Sequence, residues 1–184
     1  TISNQKKKLT YTVPSLLQGV SFNTVEGLVL DVPITIRKEF TDRKSLTIIP
    51  HVRYGFSSEK FYGWGTLRYN FGKTYFSNVS VSGGKRIYEH NNENPLEAIQ
   101  NTFSSLLYKN NFMKLYEANY GRISFSKGVG AGFTVFGNFH YQDRIPLQNT
   151  TTYSFRKKAG KAYTVNYPLE NAAGNFTRHQ ASVL

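Results

Sequence analysis

The chain of 184 residues contains no cysteine, one methionine and one tryptophan, and it has 11 acidic residues against 23 lysines and arginines. The missing cysteine excludes disulfides, thiolate metal sites and a cysteine nucleophile. The shortage of carboxylates leaves a formal charge of +12, which excludes a preference for cationic partners. Long apolar runs are also missing, and the mean hydropathy is −0.44. Because a membrane-spanning helix needs roughly 18 apolar residues in succession, a helical membrane protein is excluded.

Aromatic residues are abundant instead. Thirteen Tyr, fourteen Phe and one Trp make up 15% of the chain, beside fifteen glycines. This composition favours many β-strands joined by tight turns. The length suits one domain that can bury a sizeable core.

The two ends of the chain predict a fragment. The sequence starts at Thr1 without the basic-then-apolar stretch of a signal peptide, and residues 177–184 have the pattern of a strand that is only beginning. We therefore expect the chain to be part of a longer protein, with neighbouring segments at both ends.

Apolar and polar residues alternate along most of the chain, which is typical of strands with one apolar and one polar face. From residue 28 to residue 36 the even positions are apolar and most odd positions are polar. Polar turns separate this stretch from several others like it. The pattern predicts roughly eight strands, at residues 28–36, 46–56, 61–71, 76–84, 114–126 and 131–141 and in a last hairpin that pairs 151–155 with 162–167.

One segment has helical spacing instead. Asn94-Pro95 can cap and start a helix, and apolar residues follow at helical intervals as far as about Tyr108. The sequence therefore predicts a helix over residues 94–108, inserted between strands. We interpret it as a structural cap over an exposed edge or a barrel mouth, with a gate or plug as the alternative.

Strand length favours a membrane barrel over a soluble sandwich. Soluble strands average about 5–6 residues, whereas a tilted membrane strand needs about 9–11. Aromatic residues also gather toward the strand ends, as in the interfacial girdles of outer-membrane barrels. Pro33 and Pro50 oppose this interpretation, because a proline inside a strand removes a ladder hydrogen bond and requires a bulge or an edge. The longer class of strand is reached by residues 28–36, 46–56, 61–71 and 112–126.

The fold prediction is an all-β protein: an antiparallel transmembrane β-barrel, or a large segment of one, with one helix in a long connection. Residues 1–184 form a single partial barrel domain. Its predicted parts are a lead-in segment (1–21), a first set of strands (22–86), the helix (94–108) and a second set of strands (112–184).

A family resemblance rests on the segment that leads into the first long strand. Residues 16–28 contain the run Asn23, Thr24, Val25, Glu26 and Gly27, with weaker support from residues 62–65 and 83–86. The chain resembles the barrel region of a Gram-negative outer-membrane family of unknown function, whose members carry an N-terminal carboxypeptidase-regulatory-like domain. The resemblance covers nearly the whole chain and implies an outer-membrane β-barrel, but no known reaction. We interpret the run as structural rather than ligand-binding, because Asn and Thr satisfy local backbone groups and Gly27 permits a kink.

The sequence offers no credible active site. None of the four histidines is spaced for metal binding, and neither an H-E-x-x-H nor a G-x-S-x-G motif occurs. His140 and Asp143 stand close together in sequence, but a solvated barrel rim explains them more simply. We therefore predict a non-catalytic protein without a cofactor or a bound metal.

Charge gives two further predictions. Basic residues collect at turns, and we expect Arg156, Lys157, Lys158 and Lys161 to contact anionic lipid headgroups or lipopolysaccharide phosphates. Charged strand residues should face the barrel interior, because a charge on the lipid side costs about 2–4 kcal/mol near the midplane. The candidates for this interior face are Asp31, Thr35, Arg53 and Arg68.

Together these features predict an outer-membrane barrel fragment with a transport, envelope-assembly or surface-interaction role. Its partners would be outer-membrane lipid or lipopolysaccharide and other envelope proteins, with no specific nucleic acid. The alternative is a soluble all-β binding module, either an adhesin-like secreted sandwich or a basic nucleic-acid-binding domain. The scattered position of the basic residues weakens the nucleic-acid alternative, and a barrel enzyme ranks last.

Overall fold

A computed structural model of the chain describes residues 1–72, 74–91, 96–155, 160–167 and 178–184. The described residues form eleven strands in one antiparallel sheet, one α-helix and a short 3-10 helix, Leu16–Gly19. The elements are β1 (Ile2–Asn4), β2 (Leu9–Thr12), β3 (Val20–Asn23), β4 (Gly27–Pro33), β5 (Thr35–Glu39), β6 (Ser45–Gly55), β7 (Lys60–Phe71), β8 (Ser77–Glu89), α1 (Ala98–Tyr108), β9 (Leu115–Gly130), β10 (Phe133–Pro146) and β11 (His179–Val183).

The sheet follows the order β1-β2-β5-β6-β7-β8-β9-β10-β11, and β4 pairs with both β3 and β6. This confirms the all-β antiparallel fold with one inserted helix. Strands β1 and β11 stand at the two ends of the order, so the described sheet is open and is not closed into a barrel. Barrel closure stays a prediction. In the described part of the chain, no helix is long and apolar enough to cross a membrane.

The central strands are long. Strands β6 to β10 have 11, 12, 13, 16 and 14 residues, against an average of about 5–6 in soluble proteins. They confirm the strands predicted between residues 46 and 141, and β11 lies within the strand expected at 177–184. The prediction of eight strands was too low, because β1, β2 and β3 are only three or four residues long and residues 28–36 are divided between β4 and β5.

The two strand prolines sit where the ladder is interrupted. Ile34 lies between β4 and β5, and its N–H donates to the Pro50 carbonyl over 3.0 Å. Pro50 has no N–H with which to return that bond, so the ladder is broken there. Since the Ile34 N–H points toward β6, Pro33 points its nitrogen the other way, where β3 pairs with β4 only as far as Leu30. The expected need for an edge or an irregularity at both prolines is met.

The strand register separates the sheet into an apolar face and a polar face, since directly paired residues lie on the same face. One row of paired positions contributes an apolar residue from every strand of the nine-strand order, and we call it the apolar row: Ile2, Tyr11, Ile36, Ile48, Leu67, Val81, Ile123, Phe139 and Val183. One residue away along seven of these strands runs the polar row: Thr10, Arg37, Thr47, Arg68, Ser80, Ser124 and Asn138.

Helix α1 closes one end of the sheet. The Thr102 hydroxyl accepts the Phe22 N–H over 2.8 Å and lies 3.3 Å from the Phe22 carbonyl, so it bonds the free edge of β3. The helix begins at Ala98, later than predicted, because Glu97 is extended; residues 94 and 95 lie outside the described residues. Asn101 and Ser105 are buried, while apolar residues of the helix, including Ile99 and Phe103, are exposed.

The predicted last hairpin is wrong. Residues 151–155 and 160–167 form no strand, and 156–159 lie outside the described residues. Their polar groups bond the helix and its surroundings: the Phe155 N–H donates to the Leu106 carbonyl over 2.9 Å, and the Tyr163 hydroxyl donates to the Ser105 carbonyl over 2.8 Å. The segment is held as a cover beside α1 and not as part of the sheet.

Gly84 provides a test of the close contact between β7 and β8. Its φ is +134°, and a Cβ there would lie 2.5 Å from the Gly63 carbonyl oxygen and 2.6 Å from Trp64 Cα. We expect Gly84→Ala to lower the free energy of unfolding by about 1–3 kcal/mol. Denaturant titration followed by the fluorescence of Trp64, the single tryptophan, measures this loss.

The matched control is Gly121→Ala on β9, where a Cβ would meet nothing within 4 Å. Its free energy of unfolding should stay within about 0.5 kcal/mol of that of the parent protein. Equal effects of the two substitutions would contradict the packing described for Gly84.

Candidate functional site

The loop between β3 and β4 is a compact buried turn made by the run Asn23 to Gly27. The Asn23 Oδ1 atom accepts the N–H groups of Val25 (2.9 Å) and Glu26 (2.8 Å), and Asn23 Nδ2 donates to Glu26 Oε2 over 2.8 Å. This is the side-chain-to-backbone turn that asparagine favours. Gly27 has a φ of +73°, and a Cβ there would lie 2.5 Å from Ser57 Cβ. Each residue type is therefore required by the local geometry.

The turn is locked to the segment that follows β10. The Thr24 carbonyl accepts the N–H groups of Thr150 (2.9 Å) and Thr151 (3.2 Å), and the Thr24 hydroxyl donates to Asn149 Oδ1 over 2.7 Å. Val25 is 2% exposed and belongs to the main buried cluster, with Tyr62, Trp64, Ile87, Leu115 and Leu147. The turn thus joins distant parts of the chain at the end of the sheet that α1 covers, which we call the capped end.

A buried ion pair lies beside the turn. The Glu26 carboxylate has no exposed surface, and Arg53 donates to it through Nε (2.9 Å to Oε1) and Nη2. The third Arg53 group, Nη1, donates to Asp31 Oδ2 over 3.3 Å. A carboxylate removed from water is stable only when it is paired and hydrogen-bonded. Arg53 and Asn23 together provide this for Glu26.

Glu117 is the second buried carboxylate, and it is neutralised across three strands. Its Oε1 pairs with Lys85 Nζ at 2.8 Å, and its Oε2 accepts from Lys60 Nζ at 3.3 Å and from the Tyr62 hydroxyl at 3.2 Å. Lys60 and Tyr62 belong to β7, Lys85 to β8 and Glu117 to β9. The pairing fixes these strands where β7 and β8 cease to pair.

A pocket of about 380 Å³ opens next to the first ion pair, between the sheet, the 3-10 helix and the start of α1. Asp31, His51 and Arg53 provide its polar groups, and residues such as Leu17 and Ile99 provide apolar walls. Asp31 Oδ1 and His51 Nδ1 are 3.7 Å apart, and both are buried without a hydrogen-bond partner among the described residues. Both atoms are closed to solvent and lie against each other, so they form part of the polar wall of the pocket.

A row of rings and cations extends across the sheet from this pocket, where His51 stacks on Trp64 with centroids 4.7 Å apart. The Arg86 guanidinium lies 5.2 Å from the Trp64 centroid and 5.0 Å from that of Tyr88. Tyr88 stacks on Tyr116 at 5.6 Å, and the Arg144 guanidinium lies 4.0 Å from the Tyr116 centroid. Ring faces attract cations, so these contacts hold two arginines in place and keep this region positive.

The residues predicted to face a barrel interior share one face of the sheet. Asp31 pairs with Arg53, and the same register continues past Ile34 to place Thr35 on that face as well. Arg68 lies there in the polar row, paired with Thr47. Only Asp31 and Arg53 belong to the pocket, whereas Thr35 and Arg68 lie nearer the opposite end. That this face lines a barrel interior stays a prediction.

Of the four residues predicted to contact headgroups, one is described. Arg156, Lys157 and Lys158 lie outside the described residues. Lys161 is described, and its Nζ donates to the Tyr108 carbonyl over 2.8 Å and to Asn110 Oδ1. It therefore lies at the end of α1 and not on a free hairpin tip.

The structure separates the two residues of the His140 and Asp143 pattern. His140 lies 5.9 Å from Tyr120, ring centroid to ring centroid, while Asp143 contacts Arg178 and His179 at 3.2 and 3.5 Å. No three His, Asp or Glu side chains in the described part of the chain come close enough to hold a metal ion.

Comparison with known proteins identifies a family of unknown function. A family model described as the C-terminal domain of a family of unknown function (DUF5686) matches residues 1–184. The chain belongs to this family. No curated protein and no solved structure matches it. The resemblance to a family of unknown function is confirmed, while the outer-membrane location and the N-terminal domain stay predictions.

The Glu26–Arg53 pair generates a stability prediction for this DUF5686 C-terminal domain. Arg53→Gln leaves the Glu26 carboxylate buried without its cation, so the free energy of unfolding should fall by about 3–5 kcal/mol. Glu26→Gln combined with Arg53→Gln should recover part of that loss, because the unpaired charge is then absent.

Arg68→Gln is the control, because Arg68 is an exposed arginine of the same face. Its unfolding free energy should change by less than about 0.5 kcal/mol. If urea titration finds Arg53→Gln as stable as Arg68→Gln, the ion pair does not hold the turn in place.

Proposed function

We propose that this domain is part of the wall of an outer-membrane β-barrel in the envelope of a Gram-negative bacterium. It has no catalytic step and serves transport, envelope assembly or surface interaction. The apolar row is the observation that carries the proposal: nine successive strands each present an apolar side chain at the same height of one face.

The apolar row is largely open to the surroundings. Its members Leu67, Val81, Ile123 and Phe139 are 46%, 48%, 53% and 47% exposed. Contiguous apolar surface of this extent on a monomer marks contact with a membrane or a partner. Strands of 11 to 16 residues are also long enough for a tilted membrane strand of about 9–11 residues.

Two arginines of β6 and β7 support the same side for lipid. Arg53 and Arg68 lie on the polar face, where they avoid the cost of about 2–4 kcal/mol that a midplane arginine pays in lipid. The row of rings and arginines that begins at Trp64 would then line the aqueous side. Such a positive lining favours anionic or neutral solutes over cations.

The open ends of the sheet define what the proposal requires. In a bilayer every backbone group needs a partner, so the free edges of β1 and β11 must pair with further strands. The family resemblance implies a longer barrel, preceded by a carboxypeptidase-regulatory-like domain. Additional strands of the same protein would complete the wall.

We assign no reaction to the domain. Asn23, Thr24 and Glu26 use their side chains to hold the β3–β4 turn, as their hydrogen bonds indicate. The soluble binding module stays the alternative, and it predicts the opposite result in the experiment below.

Cysteine labelling in liposomes tests the proposal on adjacent residues of one strand. The pairs are Leu67→Cys with Arg68→Cys on β7, and Ile123→Cys with Ser124→Cys on β9; the parent chain has no cysteine background. A water-soluble maleimide should label positions 68 and 124 at least about tenfold faster than 67 and 123, because alternation places neighbours on opposite faces.

Unfolding in detergent-free urea should make all four cysteines equally reactive, which controls for intrinsic reactivity. If positions 67 and 123 react as fast as their neighbours in intact liposomes, the apolar face meets water and the soluble alternative is correct.

A further inference from the structure

A second pocket, of about 390 Å³, lies beyond the C-terminal end of α1, between the loop that leads to β9 and residues 161–167. Three lysines, two amides, a threonine, a tyrosine and several apolar side chains line it. The residues that matter are Lys109, Lys114, Lys161, Asn111, Phe112 and Val165.

The three lysines bring uncompensated positive charge to this pocket. Lys114 Nζ donates to Thr164 Oγ1 (2.6 Å) and to the Val165 carbonyl (2.7 Å), and Lys161 Nζ donates to the Tyr108 carbonyl (2.8 Å). Lys109 Nζ lies 5.9 Å from the Tyr163 ring centroid. These partners are neutral, and no acidic residue lines the pocket among the described residues. Burial lowers the pKa of the Lys114 ammonium.

Asn111 adds an unused hydrogen-bonding group. Its side chain is buried, and neither amide atom has a hydrogen-bond partner among the described residues. Buried amides are normally paired, and this one lines the pocket. Its N–H₂ group can donate to an anionic oxygen.

The apolar walls decide which anion fits. Phe112 is 60% exposed and Val165 is 67% exposed. A free phosphate would use the lysines and leave both apolar side chains in water. An anionic lipid would use both parts, with its phosphate among the lysines and its acyl chain along Phe112 and Val165.

We propose that this pocket binds the phosphate of an anionic membrane lipid. This proposal rests on the proposed membrane residence. It places the headgroup contact in a pocket that includes Lys161, and not at the solvated turns.

The experiment is lipid titration of the full-length protein in neutral-detergent micelles, with bound lipid counted by native mass spectrometry. Phosphatidylglycerol is the anionic probe, and phosphatidylcholine and inorganic phosphate are the comparisons. The variants are Lys109→Gln, which removes one cation and breaks no side-chain hydrogen bond among the described residues, and Phe112→Ser, which removes part of the apolar wall. Lys38→Gln is the matched control, since Lys38 Nζ also lies over a ring, 5.4 Å from the Phe40 centroid, away from the pocket.

We expect saturable binding of phosphatidylglycerol that is weakened about fivefold by Lys109→Gln, since one cation near a charged lipid surface contributes about 1 kcal/mol. Phe112→Ser should weaken it as well, and Lys38→Gln should leave it unchanged. Equal weakening by Lys109→Gln and Lys38→Gln would overturn the site, and so would equal affinity for phosphatidylcholine. Inorganic phosphate binding as tightly as the lipid would overturn the lipid assignment. Failure of any kind here leaves the labelling of residues 67 and 68 unaffected, so the two proposals fail separately.

Discussion

The pairing of Glu26 with Arg53 is the interaction on which the rest of the structure depends. A fully buried carboxylate is tolerated only because Arg53 and Asn23 bond both of its oxygens. Those bonds fix the β3–β4 turn against β6. The turn carbonyls then accept hydrogen bonds from the segment after β10, and the edge of β3 is hydrogen-bonded to Thr102 of α1. The capped end of the sheet therefore assembles around one ion pair.

The sheet itself is built for two different surroundings. On the polar face, Arg53 pairs with Asp31, and the guanidinium groups of Arg86 and Arg144 lie over rings. On the other face, aliphatic and aromatic side chains are exposed along the whole width of the sheet. A boundary between lipid and water would satisfy both faces at once.

Much of this fold could be predicted because alternation is a local property. Residues 46–56 and 61–71 show their two faces without reference to the rest of the chain, and β6 and β7 follow them closely. The last hairpin was mispredicted because residues 151–155 and 162–167 alternate in sequence but bond to α1, some 50 residues earlier, as Phe155 does to Leu106 and Tyr163 to Ser105. The helix was predicted from apolar residues at helical intervals. Its inward side is decided instead by Thr102, which bonds the edge of β3.

The candidate site was only half visible in the sequence. The run that contains Glu26 could be recognised, and Arg53 could be placed on the polar side by its position in the alternation. Their contact could not be predicted, because it depends on the register that sets β4 beside β6. Glu117 gave no signal at all, since its partners Lys60, Tyr62 and Lys85 come from two other strands. The pocket at Lys114 likewise requires the path of residues 161–167.

Membrane residence of the native full-length protein is the central claim, and its extraction behaviour tests it most directly. Cell envelopes are washed with alkaline carbonate, extracted with detergent, and compared on a gel before and after boiling. The account predicts that the protein stays in the carbonate pellet, dissolves only with detergent, and changes its mobility on boiling as the long-stranded sheet unfolds. Recovery of folded protein in buffer alone, with the same mobility before and after boiling, would contradict it.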